Sequence, residues 1–368
     1  MKQGDTIRNR PIRLACCGLC PAILLLALAC APQPAGKARP AEDTEWTLAE
    51  SARAAISDPA LERRISRALD AAATAGTDPS ISKFVVRAAT VVEHNGADHA
   101  VVGGNSEWAG YPEAIHGETS LMNHVINTVG PEAAKREVDF LAFYTDRACG
   151  TGGSCGDCRD YLMTTTRWQD LLVVCGQSSD HTVHVRRFAD WVVPESDFPE
   201  VSPEGTGLEA RQLAALVAAA QEARLGGVSL FTAAAEHLGV AALTSTGKIY
   251  RAAGADDAAF HYRYPIGAVL QQAAAFQDYF VRAIVVAGAP GILPRVSYRD
   301  RQYGFESSSF NAKRSMEPIQ LILLETDDSG SPVRYRVTTF EEALPGAFST
   351  ASFLPEAVDE FLEGRTDL

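Results

Sequence analysis

The sequence predicts an α/β fold built as two three-layer α/β/α domains in tandem. Three observations lead there. Helical and strand periodicities alternate along the chain. The same order of segments occurs twice. A turn-rich, unpatterned stretch, SPEGTG at 202–207, separates the two runs. The expected organisation is a signal at 1–29, a tether at 30–45, domains at 46–200 and 205–354, and a C-terminal tail at 355–368.

Residues 1–29 read as an export signal rather than as fold. Lys2, Arg8, Arg10 and Arg13 form a basic start, and an apolar run of about 16 residues follows from Leu14. That run is short for a spanning helix, which needs about 20 residues. It ends in ALAC, and small residues ahead of Cys30 suggest lipoprotein cleavage, with Cys30 as the lipid-bearing first residue. The expected location is therefore the cell envelope, on the periplasmic side; a misplaced start would leave the chain cytoplasmic. The following stretch, rich in Pro, Ala and charge, reads as a tether.

In the first domain, apolar residues at helical spacing run over 48–74, interrupted by Pro59. The strand KFVVRAATVVEH (83–94), a turn at Asn95-Gly96 and the strand HAVVGGN (99–105) form a hairpin. Next come a helix from about His116 to Val129, the strand VDFLAFYT (138–145), a glycine-rich loop, the helix CRDYLMTTT (158–166) and the strand DLLVVCG (170–176). The loop is no phosphate cradle, because no Lys-Ser/Thr follows its glycines. The second domain repeats the order: a helix at 208–224, strands at 239–246 and 248–254 around Gly247-Lys248, a helix at 265–280 and the strand RAIVVAG (282–288). Even RRFADWVVPESDF in the first half has a counterpart, TTFEEALPGAFS, in the second.

The net charge is −13 over 368 residues. Removing residues 1–29, whose four basic residues and one aspartate carry +3, would take it to −16. Such a balance disfavours a polyanion, so no nucleic-acid partner is expected, and it favours a small, weakly charged or neutral substrate. Of eight cysteines, only Cys149, Cys155, Cys158 and Cys175 lie beyond Cys30, too few to frame a fold of this size with disulfides. A buried thiol is the default for Cys175, with a Cys149–Cys175 disulfide as the rival.

Cys155 and Cys158 open a helix as C-x-x-C, which suits a metal site or a thioredoxin-like redox pair about equally well. Upstream, HGETSLMNHV places His116 at a helix mouth with a carboxylate, Glu118, close by. One imidazole and two thiolates would hold tetrahedral zinc with a position left open, the pattern of a catalytic site. A helix N-terminus also favours the thiolate forms. Glu118 follows His116 by two residues, so on a regular helix it would face roughly 200° away. Only a first turn facing the cavity lets both groups serve one site.

These residues resemble the signature of the zinc-dependent cytidine deaminases, H-x-E followed by P-C-x-x-C. FVVRAA at 84–89 is similar to that family's F-x-V-G-A-A strand, and GGNSE supplies its N-x-E element at Asn105 and Glu107. The resemblance implies hydrolytic deamination of cytidine or deoxycytidine to the uracil nucleoside and ammonia. It implies one zinc per chain, in the N-terminal domain, on His116, Cys155 and Cys158, with Glu118 as the proton carrier. The Gly117 N–H would bind the pyrimidine carbonyl, Phe84 would pack on the ring, and Asn105 with Glu107 would bind the ribose hydroxyls. Departures are Ser154 for the family's proline, Gly117 for its alanine and Arg87 for the strand glycine.

The second half carries the frame without these groups. Laying VSYRDRQYGF on GSCGDCRDYL pairs Ser297 with Ser154, Tyr298 with Cys155, Asp300 with Asp157 and Arg301 with Cys158. YPIGAV stands near the place of IHGETS. This half resembles the non-catalytic C-terminal domain of two-domain bacterial cytidine deaminases, and by that analogy the chain would be a homodimer. Two other functions compete: a zinc-holding, nucleoside-binding lipoprotein without turnover, and a Cys155/Cys158 thiol oxidoreductase.

Overall fold

Strand β1 (Thr47–Leu48) leads into helices α1 (Glu50–Ala55) and α2 (Pro59–Ala73). Pro59 begins α2 rather than kinking a longer helix: it occupies the first helical position, and the Asp58 carboxylate accepts the Ala60 N–H at 2.8 Å. The coordinates are a computed structural model that describes residues 46–107, 114–145, 153–227, 237–256, 262–349, 351 and 355–363. The export signal, the tether, the Cys30 lipid site and Cys149 lie outside the described residues.

The first half continues with β2 (Asp78–Pro79), β3 (Arg87–His94), β4 (Ala97–Gly104), β5 (Ser106–Glu107), α3 (Gly117–Val129), α4 (Pro131–Glu137), β6 (Phe140–Thr145), α5 (Gly156–Thr165), β7 (Leu172–Gln177) and β8 (Thr182–Arg187). Its six-stranded sheet runs β1-β8-β7-β6-β3-β4, with β6 and β7 parallel. Asn95 and Gly96 both have positive φ, 54° and 77°, the geometry of the tight turn expected between β3 and β4. Strand β3 begins at Arg87, not at Lys83 as expected. Lys83 has φ 58°, and residues 84–86 are held by the Asn105 side chain instead of a ladder.

The second half, after β9 (Glu200–Val201), contains α6 (Ala210–Gly226), β10 (Gly239–Thr244), β11 (Ile249–Ala253), β12 (Ala255–Asp256), β13 (Tyr262–Arg263), α7 (Pro265–Ala275), β14 (Val281–Ala287), α8 (Tyr298–Lys313), β15 (Gln320–Thr326), β16 (Pro332–Thr339), α9 (Phe340–Ala343) and α10 (Pro355–Glu363). Its six-stranded sheet runs β11-β10-β14-β15-β16-β9, again with one central parallel pair, β14 and β15. Helix α7 stops at Ala275, short of the expected 280, where Gln277 turns to φ 60°. The segment expected as a tail carries α10, whose Val358 and Leu362 pack with Phe280.

Strand alternation explains the layers. In β3, Ala89 and Val91 face α1 and α2, while Ala88 and Val92 face α3 and α5. In the second sheet, Ala241 and Leu243 of β10 face α6, while Val240 and Ala242 face α7. Each sheet is thus buried on both sides by helices, an α/β class with the same strand order in both halves. Among the described residues no helix is long and apolar enough to cross a membrane.

Candidate metal and catalytic site

His116 is the N-cap of α3, with extended backbone angles (φ −79°, ψ 152°). Outside the helical repeat, its side chain no longer obeys 100° steps, so His116 and Glu118 both come close to the same pair of sulfurs despite their spacing. Gly117 fits because a Cβ there would stand 2.9 Å from Val86 Cγ1 and 3.1 Å from Val86 O. Its own N–H, in the first turn, has no partner within the helix. Cys155 is the N-cap of α5 (φ −64°, ψ 169°), and Cys158 lies in the helix's first turn.

Two helix mouths thereby converge. His116 Nδ1 lies 3.1 Å from Cys155 Sγ and 3.2 Å from Cys158 Sγ. All three donor atoms fall within 4.8 Å of one another, a group able to hold a metal ion. Tetrahedral zinc with ordinary Zn–N and Zn–S bonds would separate nitrogen and sulfur by roughly 3.5 Å, so a few tenths of an ångström of expansion admits it. Cys158 is fully buried, Cys155 nearly so, and Glu118 is 7% exposed within hydrogen-bond reach of Cys158. Buried sulfurs suit ligands better than thiols that must exchange with a protein partner.

The electrostatics mark the same point. The hydrogen bond to Cys155 raises the His116 imidazole to about 9 against the opposing effect of burial. Cys155 is lowered to about 6, first by its hydrogen bond with Cys158 and, against desolvation, by His116. Cys158 is pushed well up, chiefly by burial. The His116 imidazole and the Cys155 sulfur thus favour each other's charged forms, while burial opposes the Cys158 thiolate.

The other residues expected at the site sit beside it with defined tasks. Asn105 is buried; its Oδ1 accepts the Val86 N–H at 2.9 Å and its Nδ2 donates to Phe84 O at 2.7 Å. Glu107 Oε2 accepts the backbone N–H groups of Ile81 (3.1 Å) and Ser82 (2.6 Å), and Oε1 accepts the Ser82 hydroxyl at 2.6 Å. Both side chains thus hold the 81–86 segment that carries half-buried Phe84. Each keeps capacity for a further hydrogen bond. Arg87 turns away onto the Tyr144 ring, 5.8 Å from its centroid. Ser154 Oγ is buried without a hydrogen-bond partner among the described residues. Cys175, in β7, is disulfide-bonded, which corrects the buried thiol taken as its default; Cys149, the partner in the rival reading, lies outside the described residues.

Sequence reasoning missed Arg159. It is fully buried beneath the site, donating to Ser154 O (2.8 Å), Trp191 O (3.0 Å) and, in the second half, Pro345 O (2.7 Å). Its adjacency to Cys158 was the available signal, but an arginine on a helix ordinarily reads as surface.

The helix starts correct the alignment of the halves by one residue. Ser297 is the N-cap of α8 as Cys155 is of α5, so Ser297 replaces Cys155, Asp300 replaces Cys158 and Arg301 replaces Arg159. The arginines confirm this register: each donates through Nε to the carbonyl five residues earlier, Ser154 or Val296. Tyr264, the N-cap of α7, replaces His116, and Ile266 replaces Glu118. Asp300 Oδ1 accepts the Ile266 and Gly267 N–H groups at 2.9 and 3.3 Å.

No protein-family model and no curated protein matches the chain. Among solved structures it is similar to a cytidine deaminase from Burkholderia pseudomallei, at 23% identity over 37% of this chain and 98% of that one, with a TM-score of 0.31. It is also similar to cytidine deaminases from Mycobacterium tuberculosis (24% identity, 36% and 94% covered, TM-score 0.25) and Mycobacterium leprae (21%, 36% and 97%, 0.24). At these TM-scores the likeness carries no argument, and the donor geometry stands as the ground for what the site can do.

Proposed function

We propose that the chain is a hydrolytic deaminase of cytidine or deoxycytidine that uses one zinc ion held by His116, Cys155 and Cys158. The observation that carries the proposal is the convergence of His116 Nδ1 on both sulfurs at 3.1 and 3.2 Å, with buried Glu118 alongside. Zinc would supply a Lewis acid that makes water nucleophilic at neutral pH. Glu118 would take one proton from the attacking water and deliver it to ring N3 as the C4–O bond forms, then carry the proton of the resulting C4 hydroxyl to the amino nitrogen as the C4–N bond breaks and ammonia leaves. Its carboxylate can serve each transfer because it stays beside the reacting centre.

By the sequence resemblance, the Gly117 N–H binds the pyrimidine carbonyl and Phe84 packs on the ring. Asn105 and Glu107, which order the Phe84 segment, offer their remaining hydrogen-bond capacity to the ribose hydroxyls. Contacts from the buried Asn105 amide and the half-buried Glu107 carboxylate to those hydroxyls would favour a nucleoside over a free base. The order of basic start, apolar run and Cys30 supports export with a lipid on Cys30, and the resemblance supports a homodimer. The net charge of −13 supports a nucleoside rather than a nucleic-acid substrate.

Ammonia release from cytidine and deoxycytidine by zinc-replete protein tests the proposal. Turnover on at least one is expected; protein with stoichiometric zinc that turns over no cytosine nucleoside defeats it.

A further inference from the structure

A helix N-terminus leaves its first N–H groups without intrahelical partners, and the first turns of α5 and α8 pack together at Gly156 and Tyr298. Helix α8 is doubly capped. Ser297 Oγ accepts the Asp300 N–H at 3.0 Å, and Asp160, reaching across from α5, accepts the Tyr298 and Arg299 N–H groups at 3.0 and 2.9 Å. Helix α5 lacks the first of these devices. Its N-cap is Cys155, which makes no capping hydrogen bond because its sulfur faces His116.

The missing cap comes from the other half. Gln302 Oε1 accepts the Gly156 N–H at 3.2 Å, while Gln302 Nε2 donates to Phe348 O (2.9 Å) and Glu306 Oε1 (3.3 Å). Gln302 stands four residues past Tyr298, as Asp160 stands four past Gly156, so the two are reciprocal. Their chemistry differs: a carboxylate caps the end that carries no thiols, and a neutral amide caps the end that carries two. The amide gives an acceptor without adding negative charge beside the sulfurs. The helices approach so closely that a Cβ on Gly156 would lie 1.9 Å from Tyr298 O. The Asp157–Arg299 ion pair at 2.9 Å closes the same contact.

From these contacts we infer that Gln302 is a positioning residue for the metal site, supplying from the non-catalytic half the cap that Cys155 gave up to become a ligand. The inference rests on the metal reading above. Cys155 and Cys158 occupy the first turn of α5, whereas His116 comes from another helix 39 residues earlier. A frayed first turn would therefore move both sulfurs relative to the imidazole.

Cobalt(II) loaded into the full-length chain is the probe, because its visible bands report the geometry of a thiolate site. The readouts are those bands and the rate of metal loss to a chelator, below the unfolding temperature. Gln302→Met, which keeps length and removes the acceptor, is expected to alter the bands and to release metal roughly tenfold faster. Unchanged bands and release in Gln302→Met overturn the inference whatever happens to Tm, because a merely structural contact would lower Tm alone. Should Gln302→Met not fold, Gln302→Asn, too short to reach Gly156, carries the same expected and contrary results. A wild-type chain that takes up no cobalt defeats the metal reading itself, a result distinct from normal uptake with unchanged release.

Discussion

His116 and Glu118 show how one backbone choice converts an unfavourable spacing into a site. Two positions apart on a helix they would diverge; with His116 extended at the N-cap, both stand beside the two sulfurs. The proton-carrying role of Glu118 makes a sharp prediction. Glu118→Gln should keep stoichiometric zinc and lose turnover by about 10²- to 10⁴-fold. Zinc content and ammonia release, measured on one preparation, check both halves, and a nucleoside-binding module without catalysis would show no such loss. The ligands were legible because H-x-E and C-x-x-C are local patterns with a chemical reason. The present partners of Asn105 and Glu107 were not. Nothing in GGNSE states that its two polar side chains would clasp the backbone of residues 81–86, since that contact forms only when β5 pairs with β2.

At the scale of elements, the first turn of α5 is placed by what it abuts. Gly156 has room for no side chain against Tyr298 O, so Gly156→Ala must push α5 and α8 apart. The expected cost is about 1–3 kcal/mol in unfolding free energy, read from denaturant melts, with faster loss of bound metal as a companion effect. Wild-type stability and wild-type metal retention in this variant would contradict the placement. Most elements could be read from periodicity, including the Asn95-Gly96 hairpin and the start of α2 at Pro59. Errors fell where a side chain or a turn overrides the pattern. Residues 83–86 look like strand yet follow Asn105, and 276–280 look helical yet turn at Gln277. The one-residue misalignment of α8 arose because matching Ser297 with Ser154 looked natural until the N-caps fixed the register.

Across the whole molecule, two sheets of the same strand order are joined through buried arginines that exchange partners. Arg159 reaches Pro345 O in the second half, and Arg301 reaches Val193 O and the Glu195 carboxylate (both 2.6 Å) in the first. Duplication was visible in the repeated order of segments. This exchange was not, because it joins carbonyls more than a hundred residues away. The second half also keeps a buried acid where the first has Cys158. Burial pushes the Asp300 carboxyl up from 3.8 to about 7, against the Gly267 and Ile266 N–H groups that favour its charged form. Because the folded value exceeds the unfolded one, the neutral carboxyl favours the fold fully below about 4, and that advantage is lost as pH rises through 7. Asp300→Asn should therefore stabilise the protein at pH 8 by on the order of 3 kcal/mol and give no such gain at pH 4. Melting curves at the two pH values check the sign, and an equal effect at both would contradict it. One metal in one place carries the proposed chemistry, so anomalous diffraction from crystals of the purified chain at the zinc edge is the most direct test. A single peak within bonding distance of His116 Nδ1, Cys155 Sγ and Cys158 Sγ is predicted. A Cys155–Cys158 disulfide with no peak between these atoms would contradict it.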